Sequence, residues 1–346
     1  MTENKNRPKA DRKIISLGKL AHNLSKDGRF KEAEETYFNI LEIEEGNLYA
    51  LVGMGDLKRK TRMYEEAISY YEKCLQIEVD NKYALSGLGD AYRGIRELDK
   101  ALDAWLYYLS FYPDDYKIIT RAADGFRKKG DIESSKKYYH IALQKRPNDP
   151  YALMGLGDIS EKEGNETEAL NFFETLISHT GNSVIAITSA ANIYRRLKTY
   201  KKAMKLYQMA LDIDHKNSHA WNGKADCLRG LKDYVSAIEA WKNALKYGMS
   251  KRIGMTRIGD SYLSLDNLEQ AEASYKEALS LGYDKYAHLG MLKIHTSRND
   301  KDKAYEVLSL FVKKEPGDAR IASEYKKFGR KYSLGPEKSP SSNRQQ

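Results

Sequence analysis

The stretch Leu85-Ser86-Gly87-Leu88-Gly89-Asp90-Ala91-Tyr92-Arg93-Gly94 spaces its glycines much as a phosphate-cradling loop does. A dinucleotide fingerprint needs a strand before its glycines and a helix after them. Here the flanking apolar residues keep helical spacing and no strand signal precedes them, so the nucleotide reading fails on context. His215 and His219 are four apart but straddle a turn and a helix start, which is no zinc spacing. The only two cysteines, Cys74 and Cys227, lie in or beside columns of small residues, which reads as core rather than nucleophile. No Ser-His-Asp or paired-carboxylate arrangement stands out. No catalytic residue, metal or cofactor is expected.

The glycines belong to a repeat. Ala21, Gly55, Gly89, Ala123, Gly157, Ala191, Ala225 and Gly259 follow one another at a constant step of 34 residues. Ala33, Ala67, Ala101, Ser135, Ala169, Ala203, Ala237 and Ala271 keep the same step, and Ala304 continues that column. A third column holds Tyr37, Tyr71, Trp105, Tyr139, Phe173, Tyr207, Trp241 and Tyr275. Units start near 14, 48, 82, 116, 150, 184, 218, 252 and 285, giving nine through residue 318.

Within a unit the apolar spacing is helical twice over, as in Leu85, Leu88, Gly89 and Tyr92 and then Leu98, Ala101, Leu102 and Trp105. Gly28, Gly130 and Gly164 sit in the break, where a left-handed residue ends a helix. Joints such as Pro113-Asp114-Asp115 and Lys216-Asn217-Ser218 stop one helix and cap the next. Each unit is therefore a helix pair whose neighbours supply its core. The small residues let helices approach closely, and the large ring of the following helix fills the space.

The net charge of +9 raises the question of nucleic acid, but residues 1–13 carry +3 and residues 320–346 carry +5, leaving +1 across 14–319. A surface that reads a nucleic-acid backbone concentrates its charge along one face. Nucleic acid is not the expected partner, and association through the basic termini is kept as the alternative. No apolar run reaches the roughly 20 residues that cross a bilayer. The first residues do not read as a secretory signal, and a reducing cytoplasm, with a place at the periphery of a membrane-associated machine, is the expected compartment.

The columns resemble the tetratricopeptide repeat, as in Leu88-Gly89, Tyr92, Ala101, Trp105 and Pro113, or Trp221, Ala225, Ala237, Trp241, Ala244 and Leu245. The resemblance implies an all-α, right-handed superhelical solenoid of about nine antiparallel helix pairs over 14–318. A basic N-terminal arm over 1–13, a capping helix over 319–334 and a disordered tail over 335–346 complete the expectation. It also implies a non-catalytic scaffold that holds a peptide or helical segment of another protein in a concave groove lined by first helices. Small-molecule substrates are not expected. Bacterial members with such compact arrays suggest a role in assembling a large complex such as a motility or secretion apparatus.

The groove stripe of the third unit is Tyr83, Ser86, Asp90 and Arg93. Through the array it becomes three ladders: Asp56, Asp90, Asp124, Asp158, Asn192, Asp226 and Asp260; Arg59, Arg93, Arg127, Arg195 and Arg229; and Tyr49, Tyr83 and Tyr151. These are the expected partner-binding residues, because Arg and Tyr are common anchors. Asp and Arg three apart on a helix also pair with each other. Lys117 and Arg121 fit the third-helix pair of the family's two-carboxylate clamp, but Gly87 stands where it needs Asn and aspartates would repel an incoming carboxylate, so the clamp is not expected. A mixed-charge or amphipathic segment is the expected ligand.

Overall fold

The computed structural model describes residues 7–315 and 317–331, and among them every regular element is helical. The basic arm's first six residues and the expected tail lie outside the described residues. The chain forms two compact units, Met1–His179 and Thr180–Gln346. In the first run α1 (Arg7–Lys26), α2 (Phe30–Ile43), α3 (Leu48–Lys60), α4 (Tyr64–Ile77), α5 (Lys82–Gly94), α6 (Leu98–Phe111), α7 (Tyr116–Lys129), α8 (Ile132–Lys145), α9 (Pro150–Lys162) and α10, which ends at the boundary (Glu166–Thr180). The second holds α11 (Val184–Arg196), α12 (Tyr200–Ile213), α13 (Ser218–Gly230), α14 (Tyr234–Lys246), α15 (Lys251–Ser264), α16 (Leu268–Ser280), α17 (Lys285–Ser297), α18 (Lys301–Lys314) and α19 (Ala319–Lys331). Consecutive helices pack as antiparallel pairs, and α19 closes the series against α18. No helix among the described residues is long and apolar enough to cross a membrane.

The punctuation read from the sequence is the punctuation observed. Asn47, Asn81, Asp115, Asp149 and Asn217 each accept a backbone N–H of the first helix they precede, satisfying a donor the helix cannot satisfy itself. Between the helices of a pair, the chain turns through one residue at positive φ in all nine units. Gly28, Gly130 and Gly164 occupy it at φ 78°, 90° and 79°, whereas Arg62, Arg96, Lys198, Lys232, Asp266 and Asn299 hold it at 57° to 67°.

The aromatic column is the centre of each layer. Tyr71, Trp105, Phe173, Trp241 and Tyr275 are wholly buried, as are the alanines of the small column from Ala33 to Ala304. Glycine makes room for the rings. A Cβ on Gly55 would lie 2.5 Å from Tyr71 and one on Gly157 2.5 Å from Phe173, closer than side chains pack, and one on Gly89 would overlap the Trp105 indole. Gly55, Gly89 and Gly157 are thus sites of close helix packing. Cys74 and Cys227 are buried, and burial pushes their thiols up to about 11 and about 12, which keeps them protonated and poor nucleophiles at neutral pH.

Successive first helices also touch: α1 with α3, α3 with α5 and α7 with α9 in the first unit, α11 with α13 and α15 with α17 in the second. Arg121 of α7 reaches Asp90 of α5, and Arg257 of α15 reaches Asp226 of α13, so side chains link the first helices at the remaining junctions within each unit, and the Asp, Arg and Tyr ladders stand on them.

Candidate functional site

The buried tyrosines reach through to this face. The Tyr71 hydroxyl donates to Asp56 (2.8 Å) and accepts from Arg59 Nε (3.2 Å). The Tyr207 hydroxyl donates to Asn192 (2.6 Å) and accepts from Arg195 Nε (3.3 Å). Tyr275 donates to Asp260 (2.8 Å). The core ring and the ladder are one hydrogen-bonded unit, and burial pushes the Tyr207 hydroxyl up to about 12.

The arginines pair along the helix and across it. Arg59 contacts Asp56 (3.0 Å) and Asp90 (3.5 Å), and Arg127 contacts Asp124 (2.7 Å) and Asp158 (3.7 Å). Burial alone would raise the Asp124 carboxyl. Hydrogen bonds from Lys128 and Arg127 outweigh it, so the pKa falls below its ordinary value. Asp158 and Asp260 are raised, chiefly by burial.

Two positions differ from the rest. Asp90, 7% exposed, lies 3.1 Å from Arg93 and 3.0 Å from Arg121, in addition to Arg59. Four repeats later Asp226, its side chain 10% exposed, lies 3.0 Å from Arg229, 3.3 Å from Arg195 and 3.9 Å from Arg257. Arg93 stands over the Trp105 ring at 5.5 Å, and Arg229 over Trp241 at 5.7 Å. These two aspartates are held inside arginine clusters instead of facing outward. Three guanidiniums surround each of these negative charges.

A cavity of about 510 Å³ opens beside the first cluster, lined in part by Arg93, Thr120, Arg121, Asp124 and Tyr151. One of about 630 Å³ beside the second is lined by their counterparts Arg229, Thr256, Arg257, Asp260 and Tyr286. Tyr83, Tyr151 and Tyr286 are 63%, 75% and 58% exposed. Tyr49 is partly engaged, since its hydroxyl donates to the Gly18 carbonyl at 3.2 Å.

Ladder reasoning did not select Arg121 and Arg257 as site residues. The signal for them is a fourth column, at residues 53, 87, 121, 155, 189, 223 and 257, which is glycine except at these two arginines and at Ser189.

Asn192 and Asp260 accept the same tyrosine bond, which yields a prediction. Asp260→Asn keeps the acceptor and removes a charge that burial disfavours, so stability at pH 7 should change by no more than about 1 kcal/mol, in the stabilising direction. A carboxyl raised in the fold binds its proton more readily there than in the unfolded chain, so lowering the pH favours the native protein and shrinks the gain. Asp260→Leu leaves the Tyr275 hydroxyl unpaired and should cost about 1–3 kcal/mol. Urea unfolding of both variants at neutral and acid pH measures this.

The stacked helix pairs with a polar ladder on one side define an α-helical repeat protein. The tetratricopeptide repeat family models match residues 48–81, 120–183 and 254–281. The solved structures that are similar include the following three. A tetratricopeptide repeat protein from Parabacteroides merdae (17% identity, TM-score 0.52) aligns over 72% of this chain and 99% of its own. The C-terminal part of a repeat protein from Cytophaga hutchinsonii (17%, TM-score 0.60) aligns over 69% and 98%. PilF of Pseudomonas aeruginosa (14%, TM-score 0.55) aligns over 63% and 99%. At these identities the likeness is one of fold. No curated protein matches the sequence. The chain is a tetratricopeptide repeat protein.

Proposed function

We propose that the chain is a non-catalytic scaffold that docks a segment of another protein along its first-helix face. Repeats of this family generally serve as protein-interaction modules. The observation that carries the reading is the set of tyrosines Tyr83, Tyr151 and Tyr286, exposed in one register beside partly exposed arginines. Such side chains join an apolar body to a polar tip and lose little rotamer freedom on binding. The finer reading is a part in assembling a large bacterial complex, such as a motility or secretion apparatus, from the cytoplasmic side. It rests on the compact, insertion-free array alone and is an analogy of fold.

The test is capture from a native lysate with the unmodified protein and with Tyr83→Ala plus Tyr151→Ala, whose exposed rings are removed without opening the core. The scaffold reading predicts that specific partners are lost from the variant at unchanged stability. Recovery of the same set at the same yield would place binding elsewhere.

A further inference from the structure

The fourth column covaries with the buried ring it approaches. Where the ring is Tyr37, Tyr71, Tyr139, Tyr207 or Tyr275, the next first helix offers Gly53, Gly87, Gly155, Gly223 or Gly290, and a Cβ there would overlap the ring and its hydroxyl. Where the ring is Trp105 or Trp241, the residue in that column is Arg121 or Arg257, and where it is Phe173 the residue is Ser189. An indole carries no hydroxyl pointing into that space, so the glycine is not required. The arginine that replaces it turns back to the aspartate of the preceding first helix. Tryptophan, aspartate and three arginines therefore form a module, present once in each unit.

The charges in a module do not balance locally. Three guanidiniums share Asp90, of which Arg59 is also paired with Asp56, and three share Asp226, while each arginine side chain stays about one-third exposed, between 33% and 39%. A guanidinium has five N–H donors in a rigid fork, and one carboxylate cannot occupy those of three. The other carboxylates at the cavities have partners of their own: Asp149 and Asp284 cap α9 and α17, Asp124 is held by Arg127 and Lys128, Asp158 lies 3.7 Å from Arg127, and Asp260 accepts from Tyr275.

We propose that the two modules are equivalent receptors for the carboxylate side chains of acidic residues in a docked protein segment, an inference that rests on the scaffold reading above. Arg93 with Arg121, and Arg229 with Arg257, present the fork that a planar carboxylate matches with paired N–H···O bonds. Asp90 and Asp226 hold the guanidiniums in position before a ligand arrives, which lowers the ordering cost of binding. Tyr151 and Tyr286 stand at the cavities as exposed rings against which the segment's main chain packs. A monoanionic carboxylate suits the site better than a phosphate dianion, because Asp124 and Asp260 line the same cavities and repel the larger charge more strongly.

The full-length protein is titrated with a short fluorescein-labelled peptide in which glutamates alternate with leucine and glycine, with its glutamine counterpart, and with inorganic phosphate as competitor. The expected result is two equivalents of the glutamate peptide per chain, about tenfold or more weaker binding of the glutamine peptide, and weakening by salt. Arg121→Gln and Arg257→Gln should each remove one equivalent, and together both, with unfolding curves confirming that each variant is folded. Arg121→Lys and Arg257→Lys keep the charge but lose the fork, and should bind with reduced affinity at unchanged stoichiometry. Equal binding of both peptides, or two equivalents surviving in the double glutamine variant, overturns the proposal. Displacement by phosphate at concentrations where added chloride of equal ionic strength has no effect overturns the carboxylate assignment. If the glutamate peptide fails to bind while lysate capture still depends on Tyr83 and Tyr151, the carboxylate inference alone falls. If that dependence is also missing, the scaffold reading falls with it.

Discussion

Gly89→Leu is expected to destabilise the protein by about 3 kcal/mol, at the upper end of what overpacking costs. The added side chain starts inside the volume of the Trp105 indole, which is wholly buried and cannot swing out. Helix α5 must then move away from α6. That opens the layer holding Leu85, Ala101, Leu102, Tyr108, Ile118 and Ala122. The leucine's better helix propensity offsets only about 0.8 kcal/mol. Gly329→Leu is the control, because nothing lies within 4 Å of its added Cβ, and it should change stability by less than about 1 kcal/mol. Urea unfolding followed by circular dichroism reads both. An unchanged midpoint for Gly89→Leu would mean that the small columns do not set the helix spacing.

The second large effect has the opposite sign. Arg62, Arg96, Lys198 and Lys232 hold the turn between paired helices at φ 57° to 67°, which glycine adopts without steric cost and other L-residues do not. Three units of the same chain already place glycine there. Replacing the four by glycine should relieve about 1–2 kcal/mol of strain at each, less about 0.4–1 kcal/mol for the extra entropy glycine brings to the unfolded chain, and so stabilise the protein by about 3 kcal/mol in total. The four sites lie in different helix pairs and share no partner, so their effects should add. Asp266 and Asn299 tolerate this conformation better and should gain less. The quadruple variant's urea midpoint checks this. A fall in the midpoint would mean that the arginine and lysine side chains do more at these turns than their backbones lose.

The fold was legible in the sequence because its signals recur. One column of small residues is weak evidence, but repeated at a fixed spacing beside an aromatic column it defines the layer, and the caps at Asn81, Asp115, Asp149 and Asn217 fix the helix starts. The ladders were legible as positions on a face. Their charge balance was not, since spacing along one helix shows Asp90 beside Arg93 but not that Arg59 and Arg121 arrive from the helices on either side. Periodicity shows which side of a helix is outward, whereas burial of a polar residue depends on what its neighbours reach across to cover. Arg257 escaped, and Arg121 was legible only as a match to one pair of the rejected clamp, for a related reason: a position that is glycine in most repeats reads as packing, and its two arginines acquire meaning only once the tryptophan beside each is known to leave space.

The measurement that bears most directly on the scaffold reading is site-specific photo-crosslinking in cells. A benzophenone side chain is placed at position 151 on the first-helix face, or at position 137, exposed on the second helix α8. Docking of a partner segment along the first helices predicts adducts to a discrete protein segment from position 151 and not from 137. Adducts from 137 alone, or the same adducts from both positions, would contradict it.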